Sequence, residues 1–162
     1  MNIIYKKNNE LLDSEIEVLY MLYYENIEKY AKMYKKRENL VSLRHKEDWI
    51  YDIQSNDSLV SILCVDNGRL VGFILLALLP EENYINEFHI CRDYQNDGVT
   101  FKELMKACFN IAQPGKKFGG RIWKENHETK SLFLKLGAKG ENGKYTLEYD
   151  KAQEIFNKMM NS

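Results

Sequence analysis

Tyr94-Gln95-Asn96-Asp97-Gly98-Val99-Thr100 is the stretch that decides the fold of this chain. It joins a predicted strand, Tyr84 to Ile90, to a predicted amphipathic helix, Gly98 to Gln113. The start of a helix exposes unpaired N–H groups at the positive end of the helix dipole, which suits a phosphate group. Gly98 would let such a ligand approach the backbone closely. A plain connection between strand and helix explains this turn equally well, because many such turns contain glycine.

The elements around this stretch predict a mixed α/β sheet with helices on both faces. Upstream, Asp66-Asn67-Gly68 separates two apolar strands and predicts a hairpin. Downstream, Pro114-Gly115 ends the helix, and Gly137 closes a second one. The predicted strands are Asn2 to Tyr5, Leu59 to Val65, Leu70 to Leu79, Tyr84 to Ile90, Gly119 to Trp123 and Lys144 to Tyr149. The predicted helices are one that begins at Asp13 or Ser14, Lys46 to Ile53, Gly98 to Gln113, Asn126 to Leu136 and the C-terminal segment.

Size and composition narrow the class of protein. A chain of 162 residues with 44% hydrophobic and 29% charged residues predicts one soluble globular domain over residues 1–162. A net charge of -1 and the lack of a recognisable nucleic-acid-binding motif argue against a nucleic-acid partner. The longest apolar run, Leu70 to Leu79, is too short to span a bilayer, so no membrane partner is predicted. Three cysteines without a CxxC pair, and an N-terminus that turns polar at Lys6, predict a cytoplasmic protein.

Two motifs in a fixed order resemble those of the GNAT (general N-acetyltransferase) superfamily. Gln95-x-x-Gly98-x-Thr100 begins five residues after Ile90 and is similar to the family's coenzyme A loop. That loop reads Arg or Gln, two residues, Gly, one residue, then Gly or Ala. Asn126 to Ala138 resembles the second signature, in which an Asn opens a helix that ends in Lys-Leu-Gly-Phe. With the strand that begins Leu70-Val71-Gly72-Phe73, the resemblance covers Leu59 to Tyr149 and implies a GNAT-type acyl-CoA N-acyltransferase fold.

The resemblance implies a site for acetyl-CoA along the strand, the loop and the second helix. In the family, the loop amides hold the pyrophosphate, and the backbone of the preceding strand pairs with the pantetheine arm. The Asn of the second signature also bonds around the pantetheine, although Asn126 has the ordinary role of a helix N-cap as well. The residues assigned to the coenzyme are Phe88, Ile90, Gln95, Asn96, Asp97, Gly98, Val99, Thr100, Asn126 and Phe133.

Three residues depart from the family pattern. Thr100 replaces the second small residue of the loop, and its Cβ crowds a close approach to the backbone. Asp97 places a carboxylate beside the expected diphosphate, unless it turns outward or caps the helix. Phe133 stands where many members carry a Tyr whose hydroxyl protonates the departing thiolate, so the general acid is unassigned. These departures keep open a catalytically impaired protein of the same fold that binds coenzyme A or a protein partner.

Glu87 and His89 are the candidate catalytic residues. Because side chains alternate along a strand, these two share one face, and Phe88 and Ile90 share the other. The resemblance turns the first face toward the acyl-transfer site. A protonated amine must lose a proton before it attacks a thioester, so His89, or Glu87 directly or through water, would act as the base. The alternative is structural, with Glu87 in a buried ion pair and His89 filling space.

The resemblance implies transfer of an acetyl or other acyl group from acetyl-CoA to a primary amine by direct attack in a ternary complex. The acceptor would be a small-molecule or peptide amine, and homodimers are common in the family. By the same analogy, Trp49 and the tyrosines of the first helix could line the acceptor pocket, although packing explains most of them. No two of the histidines have metal-ligand spacing, so no metal site is predicted. The tyrosines are Tyr20, Tyr23, Tyr24, Tyr30 and Tyr34, and the histidines are His45, His89 and His127.

Overall fold

The computed structural model describes residues 1–35, 45–122 and 126–161, with the backbone alone for 29–35. Seven strands in this part of the chain form one sheet: β1 Asn2–Lys7, β2 Leu59–Asp66, β3 Arg69–Leu78, β4 Asn83–Ile90, β5 Phe118–Arg121, β6 Lys139–Glu141 and β7 Lys144–Leu147. The α-helices of the described residues are α1 Asp13–Lys35, α2 Lys46–Ser55, α3 Thr100–Ile111, α4 His127–Lys135 and α5 Tyr149–Met160. Two short 3-10 helices cover Asn8–Glu10 and Arg92–Tyr94.

The sheet contains a fork between β4 and β5. The strand order is β1-β2-β3-β4-β5-β7-β6, and every neighbouring pair is antiparallel except β4 with β5. The parallel pairing joins only Asn83 to Ile85 with Phe118 to Gly120, although β4 continues to Ile90. The two strands therefore part after Ile85. In the described part of the chain, the β5-facing edge of residues 86–90 has no strand partner.

Helices cover both faces of the sheet, as the sequence predicts. β3 is buried along nearly its whole length, and its side chains alternate between two hydrophobic clusters. Ile74 belongs to the cluster that contains residues of α3 and α5, whereas Phe73 belongs to the cluster that contains residues of α1 and α2. Cys64 and Cys108 are buried in the first of these clusters. The predicted mixed α/β fold is confirmed.

The differences from the predicted elements have local causes. Strand β6 was not predicted, because all three of its residues are exposed and it therefore carries no hydrophobic alternation. The last strand ends at Leu147, since Tyr149 begins α5 and stacks its ring on Phe118. Helix α3 begins at Thr100 because Gly98 has a φ of 72°, outside the helical region. The predicted strand end at Trp123 lies outside the described residues.

No helix in the described part of the chain combines the length and the apolar character needed to cross a bilayer.

Candidate active site

A cavity of about 500 Å³ opens where β4 and β5 part. Strand β4 forms one side of it, and the segment from Gly119 to Ile122 forms another. Helices α1 and α2 contribute an apolar wall that contains Tyr23 and Ile53, and α4 contributes Phe133. Charged groups of both signs also line it, with the carboxylates of Asp52 and Glu87 and the guanidinium of Arg121. The cavity therefore joins apolar surface to a few polar groups, as ligand sites do.

A β-bulge interrupts the alternation of side chains along β4. Glu87 and His89 therefore lie on the face opposite to Ile85, whereas strict alternation would put all three on one face. Leu75 of β3 lies opposite Glu87, but Leu76 lies opposite Ile85, so one residue of β4, Asn86, has no partner. Ile85 therefore joins the cluster beneath α3 instead of sharing the face of Glu87. The expected sharing of faces after the bulge is confirmed. Phe88 and Ile90 pack in the first cluster, whereas Glu87 and His89 contact each other.

Glu87 and His89 form a close pair at the cavity wall. Nε2 of His89 lies 2.6 Å from Oε2 of Glu87. The side chain of His89 is 7% exposed and that of Glu87 is 20% exposed. The imidazole is packed between the rings of Tyr23 and Phe73, at centroid distances of 5.7 and 5.3 Å. Glu87 is thus the more accessible group of the pair, and His89 stands behind it.

Asn26 of α1 is a member of this site that the sequence reasoning missed. Its amide nitrogen lies 3.4 Å from Nδ1 of His89 and 3.1 Å from the carbonyl oxygen of Ile90. The residue follows Tyr23 by three positions, so both lie on the helix face that packs against the sheet. A polar residue on an otherwise apolar helix face was the signal in the sequence.

In the loop that precedes α3, the carboxylate of Asp97 accepts hydrogen bonds from neighbouring residues of the same loop. The N–H groups of Val99 and Thr100 each donate to Oδ1 of Asp97 at 2.9 Å, and the Thr100 hydroxyl donates to Oδ2 at 2.6 Å. Partial burial alone would raise the pKa of Asp97, but the hydrogen bonds from Thr100 and Val99 outweigh it and lower that pKa. Of the two alternatives for Asp97, the structure shows a carboxylate that accepts from N–H groups at the start of α3, from a position two residues before the N-cap residue Val99. The N–H of Thr100 is therefore already engaged.

Gln95 ties the same loop to the end of β4. Its side-chain amide donates to the carbonyl of Ile90 at 3.0 Å, so this carbonyl accepts from both Gln95 and Asn26. Asn96, Gly98 and Val99 are exposed along the loop. Thr100, in contrast, is fully buried, and none of the residues from Gln95 to Thr100 lines the cavity.

Asn126 lies at the start of α4, as the sequence predicts, and Phe133 lies on the buried side of the same helix. The side chain of Asn126 accepts from the N–H of Thr129 at 3.2 Å, which confirms its N-cap role. Phe133 is 7% exposed and packs its ring edge against Phe88. Both residues line the cavity, and Phe133 brings no hydroxyl to it. The tyrosine hydroxyls of the cavity lining belong to Tyr23, Tyr84 and Tyr145.

The other aromatic and histidine candidates lie in different parts of the structure. Tyr23 and Trp49 both line the cavity and stack on each other at a centroid distance of 5.3 Å, and Trp49 is only 1% exposed. Tyr20 and Tyr24 line a separate shallow surface pocket. The side chains of Tyr30 and Tyr34 lie outside the described residues. His45 and His127 are exposed, and no three His, Cys, Asp or Glu side chains of the described ranges converge as metal ligands.

Comparison with known proteins agrees with this architecture. The model of the acetyltransferase (GNAT) family matches residues 19–138. A search of curated proteins finds no significant match. Among solved structures, the paia N-acetyltransferase from Thermoplasma acidophilum in complex with coenzyme A is 19% identical, with a TM-score of 0.64 over 92% of this chain and 100% of that one.

Two further solved structures share the fold. An acetyltransferase from Thermus thermophilus is 16% identical, with a TM-score of 0.65 over 91% of this chain and 97% of that one. The ribosomal-protein-S18-alanine N-acetyltransferase from Escherichia coli is 11% identical, with a TM-score of 0.63 over 91% and 94%. Likeness at such low identity concerns the fold alone.

Proposed function

The chain belongs to the GNAT acetyltransferase family, and on that basis we propose that it transfers an acetyl or other acyl group from acetyl-CoA to a primary amine by direct attack in a ternary complex. The observation that carries this proposal is the Glu87–His89 pair, which lies at the wall of the cavity beside the unpaired edge of β4. Acyl transfer to an amine needs a base within reach of the acceptor and a cavity that can hold both substrates, and these two features support the proposal.

The donor side of the site would run along the fork. Residues 86–90 offer an unpaired backbone edge of the kind with which an extended pantetheine arm can pair, on the side where β5 turns away. Asn126 and Phe133 line the cavity at the same fork. The loop from Gln95 to Thr100 lies beyond Ile90, to which Gln95 is bonded, and would face the diphosphate. A solved neighbour of this fold contains coenzyme A, which is consistent with such a donor.

The chemistry would centre on Glu87. Its carboxylate takes a proton from the ammonium form of the acceptor, and the freed amine attacks the thioester carbonyl. In the resulting tetrahedral intermediate the nitrogen is cationic, and it releases its second proton to water as the intermediate collapses, the C–S bond breaks and the amide forms. The thiolate then takes a proton from water or from a tyrosine hydroxyl of the cavity wall, because Phe133 cannot supply one. The carboxylates of Asp52 and Glu87 favour a cationic acceptor, as a small-molecule or peptide amine is at neutral pH.

Calorimetric titration with acetyl-CoA, followed by an assay of acetyl transfer over a panel of primary amines, tests this function. We expect saturable binding, and turnover that falls by about 100-fold or more in Glu87→Gln with an unchanged dissociation constant for acetyl-CoA. Glu141→Gln, at an exposed position of β6, is the matched control and should keep the full rate. No binding of acetyl-CoA at high micromolar concentration would refute the proposal.

A catalytically impaired member of the family that binds coenzyme A or a protein partner is the second candidate. Two observations favour it: Asp97 occupies N–H groups of the loop, and Phe133 brings no proton donor. This candidate predicts binding of coenzyme A without turnover for any amine of the panel. The same titration and assay therefore separate the two functions.

A further inference from the structure

Asn26 stands behind the proposed base, on the far side of the imidazole from Glu87. The ring of His89 is contacted at both nitrogens, with Nε2 2.6 Å from Glu87 and Nδ1 3.4 Å from the Asn26 amide nitrogen. The side chain of His89 is 7% exposed, and the rings of Tyr23 and Phe73 pack beside it. The proton on this ring is therefore placed by the protein.

The carbonyl of Ile90 decides which way the Asn26 amide points. A backbone carbonyl accepts hydrogen bonds and cannot donate them, so the Asn26 atom 3.1 Å away must be the NH2 group. The reverse orientation would bring two oxygens together. The NH2 group carries two hydrogens, so one can go to Ile90 and the other to His89.

This orientation determines the tautomer of His89. A nitrogen that faces an N–H donor must offer a lone pair, so Nδ1 is unprotonated and the ring proton of the neutral imidazole is on Nε2. Nε2–H then donates to the Glu87 carboxylate. With the proton on Nδ1 instead, two lone pairs would face each other at 2.6 Å unless Glu87 held a proton. A protonated Glu87 could not accept one from an amine.

We propose that Asn26 is a positioning residue that, together with Glu87, selects the Nε2–H tautomer of His89, whose Nε2–H donates to the Glu87 carboxylate and orients it toward the cavity. This role rests on the proposed function, in which Glu87 is the base. Three separate elements of the chain meet at this site. Asn26 lies on α1, the base lies on β4, and Gln95 of the loop donates to the same Ile90 carbonyl as Asn26.

The tautomer can be measured in the free protein without any ligand. Two-bond proton–nitrogen correlation spectra of the 15N-labelled protein at neutral pH show which nitrogen of each histidine is protonated, and His89→Gln identifies the signals of His89. We expect Nε2 protonated and Nδ1 unprotonated. An Nδ1–H ring in the wild type overturns the proposal.

Two substitutions of Asn26 then test its role in turnover. Asn26→Leu keeps the size and removes the donor, so that Glu87 alone favours Nε2–H. We therefore expect a larger share of the Nδ1–H tautomer than in the wild type and a kcat lower by about tenfold, with the KM for acetyl-CoA within about twofold. Asn26→Asp keeps the shape but can only accept, so it should draw the proton to Nδ1 and lower kcat further. Asn157→Leu, the same change at an exposed position of α5, is the control.

The outcomes separate this proposal from the proposed function. A folded Asn26→Leu protein that keeps both the Nε2–H signal and the wild-type kcat overturns the role of Asn26. If the wild type acetylates no amine, the proposed function fails. The spectra of the wild type and of Asn26→Leu still decide whether Asn26 selects the tautomer.

Discussion

Replacing Asp97 should tighten the binding of coenzyme A, although it removes a stabilising contact. In the free protein, its carboxylate accepts from the N–H groups of Val99 and Thr100, each at 2.9 Å. A diphosphate at the start of α3 would need the same donors, so it must first displace Asp97. Binding of the diphosphate therefore breaks the hydrogen bonds that Asp97 accepts, and it brings the Asp97 carboxylate close to the negative diphosphate.

The size of the effect follows from these two terms. A side-chain cap at a helix start contributes about 1 kcal/mol. A displaced carboxylate at roughly 6 Å from a diphosphate is repelled by about 0.7 kcal/mol per unit charge in a water-like dielectric, or about 1.4 kcal/mol for two charges, and screening by moderate salt reduces this to about 1 kcal/mol. Asp97→Ala removes both terms, so its dissociation constant should fall by about 30-fold. Asp97→Asn keeps a cap and removes only the repulsion, which predicts a fall of about fivefold.

Titration calorimetry at one fixed salt concentration measures both variants. Asp93→Ala is the matched control, because it removes an exposed carboxylate from the neighbouring 3-10 helix and leaves the N–H groups of the loop untouched. S-acetylpantetheine, which has no diphosphate, should bind wild type and variants alike. A dissociation constant for coenzyme A in Asp97→Ala within twofold of the wild-type value would refute the reasoning.

Three further outcomes follow from the same structure. Because hydrogen bonds from Thr100 and Val99 lower the pKa of Asp97 in the folded state, its stabilisation is fully present above the unfolded pKa of about 3.9 and is lost as the pH falls through the lower folded pKa. Urea unfolding should thus show wild type more stable than Asp97→Ala by at most about 1 kcal/mol at pH 7, since the side chain is exposed, and by less near pH 3. Burial raises the pKa of Cys64 to about 11 and that of Cys108 to about 12, so iodoacetamide at pH 8 should label neither until the protein is unfolded, as mass spectrometry would show. Asn83 is fully buried and bonds the loop after α3 through both of its side-chain groups, so Asn83→Ala should lower the free energy of unfolding by about 2–3 kcal/mol, whereas Asn161→Ala at the exposed end of α5 should not.

The fold and the outline of the site were predictable because their signals are local. The hairpin between β2 and β3 has Asn67 and Gly68 at positive φ, as its sequence indicates. The N-cap of α4 and the glycine that closes it are likewise readable within one helical turn. Glu87 and His89 could be paired from their spacing along one strand, which needs no knowledge of the rest of the chain.

The tertiary structure alone decided which polar groups meet. Asn26 and His89 are 63 residues apart, and nothing in either segment indicates the other. The bulge at Asn86, which separates the face of Ile85 from that of Glu87, depends on register against β3. Asp97 could turn outward or cap the helix, and the positive φ of Gly98 accompanies the second choice. Hydrophobic periodicity reports the burial of each element by itself, whereas hydrogen bonds between elements depend on how those elements are placed together, which periodicity does not encode.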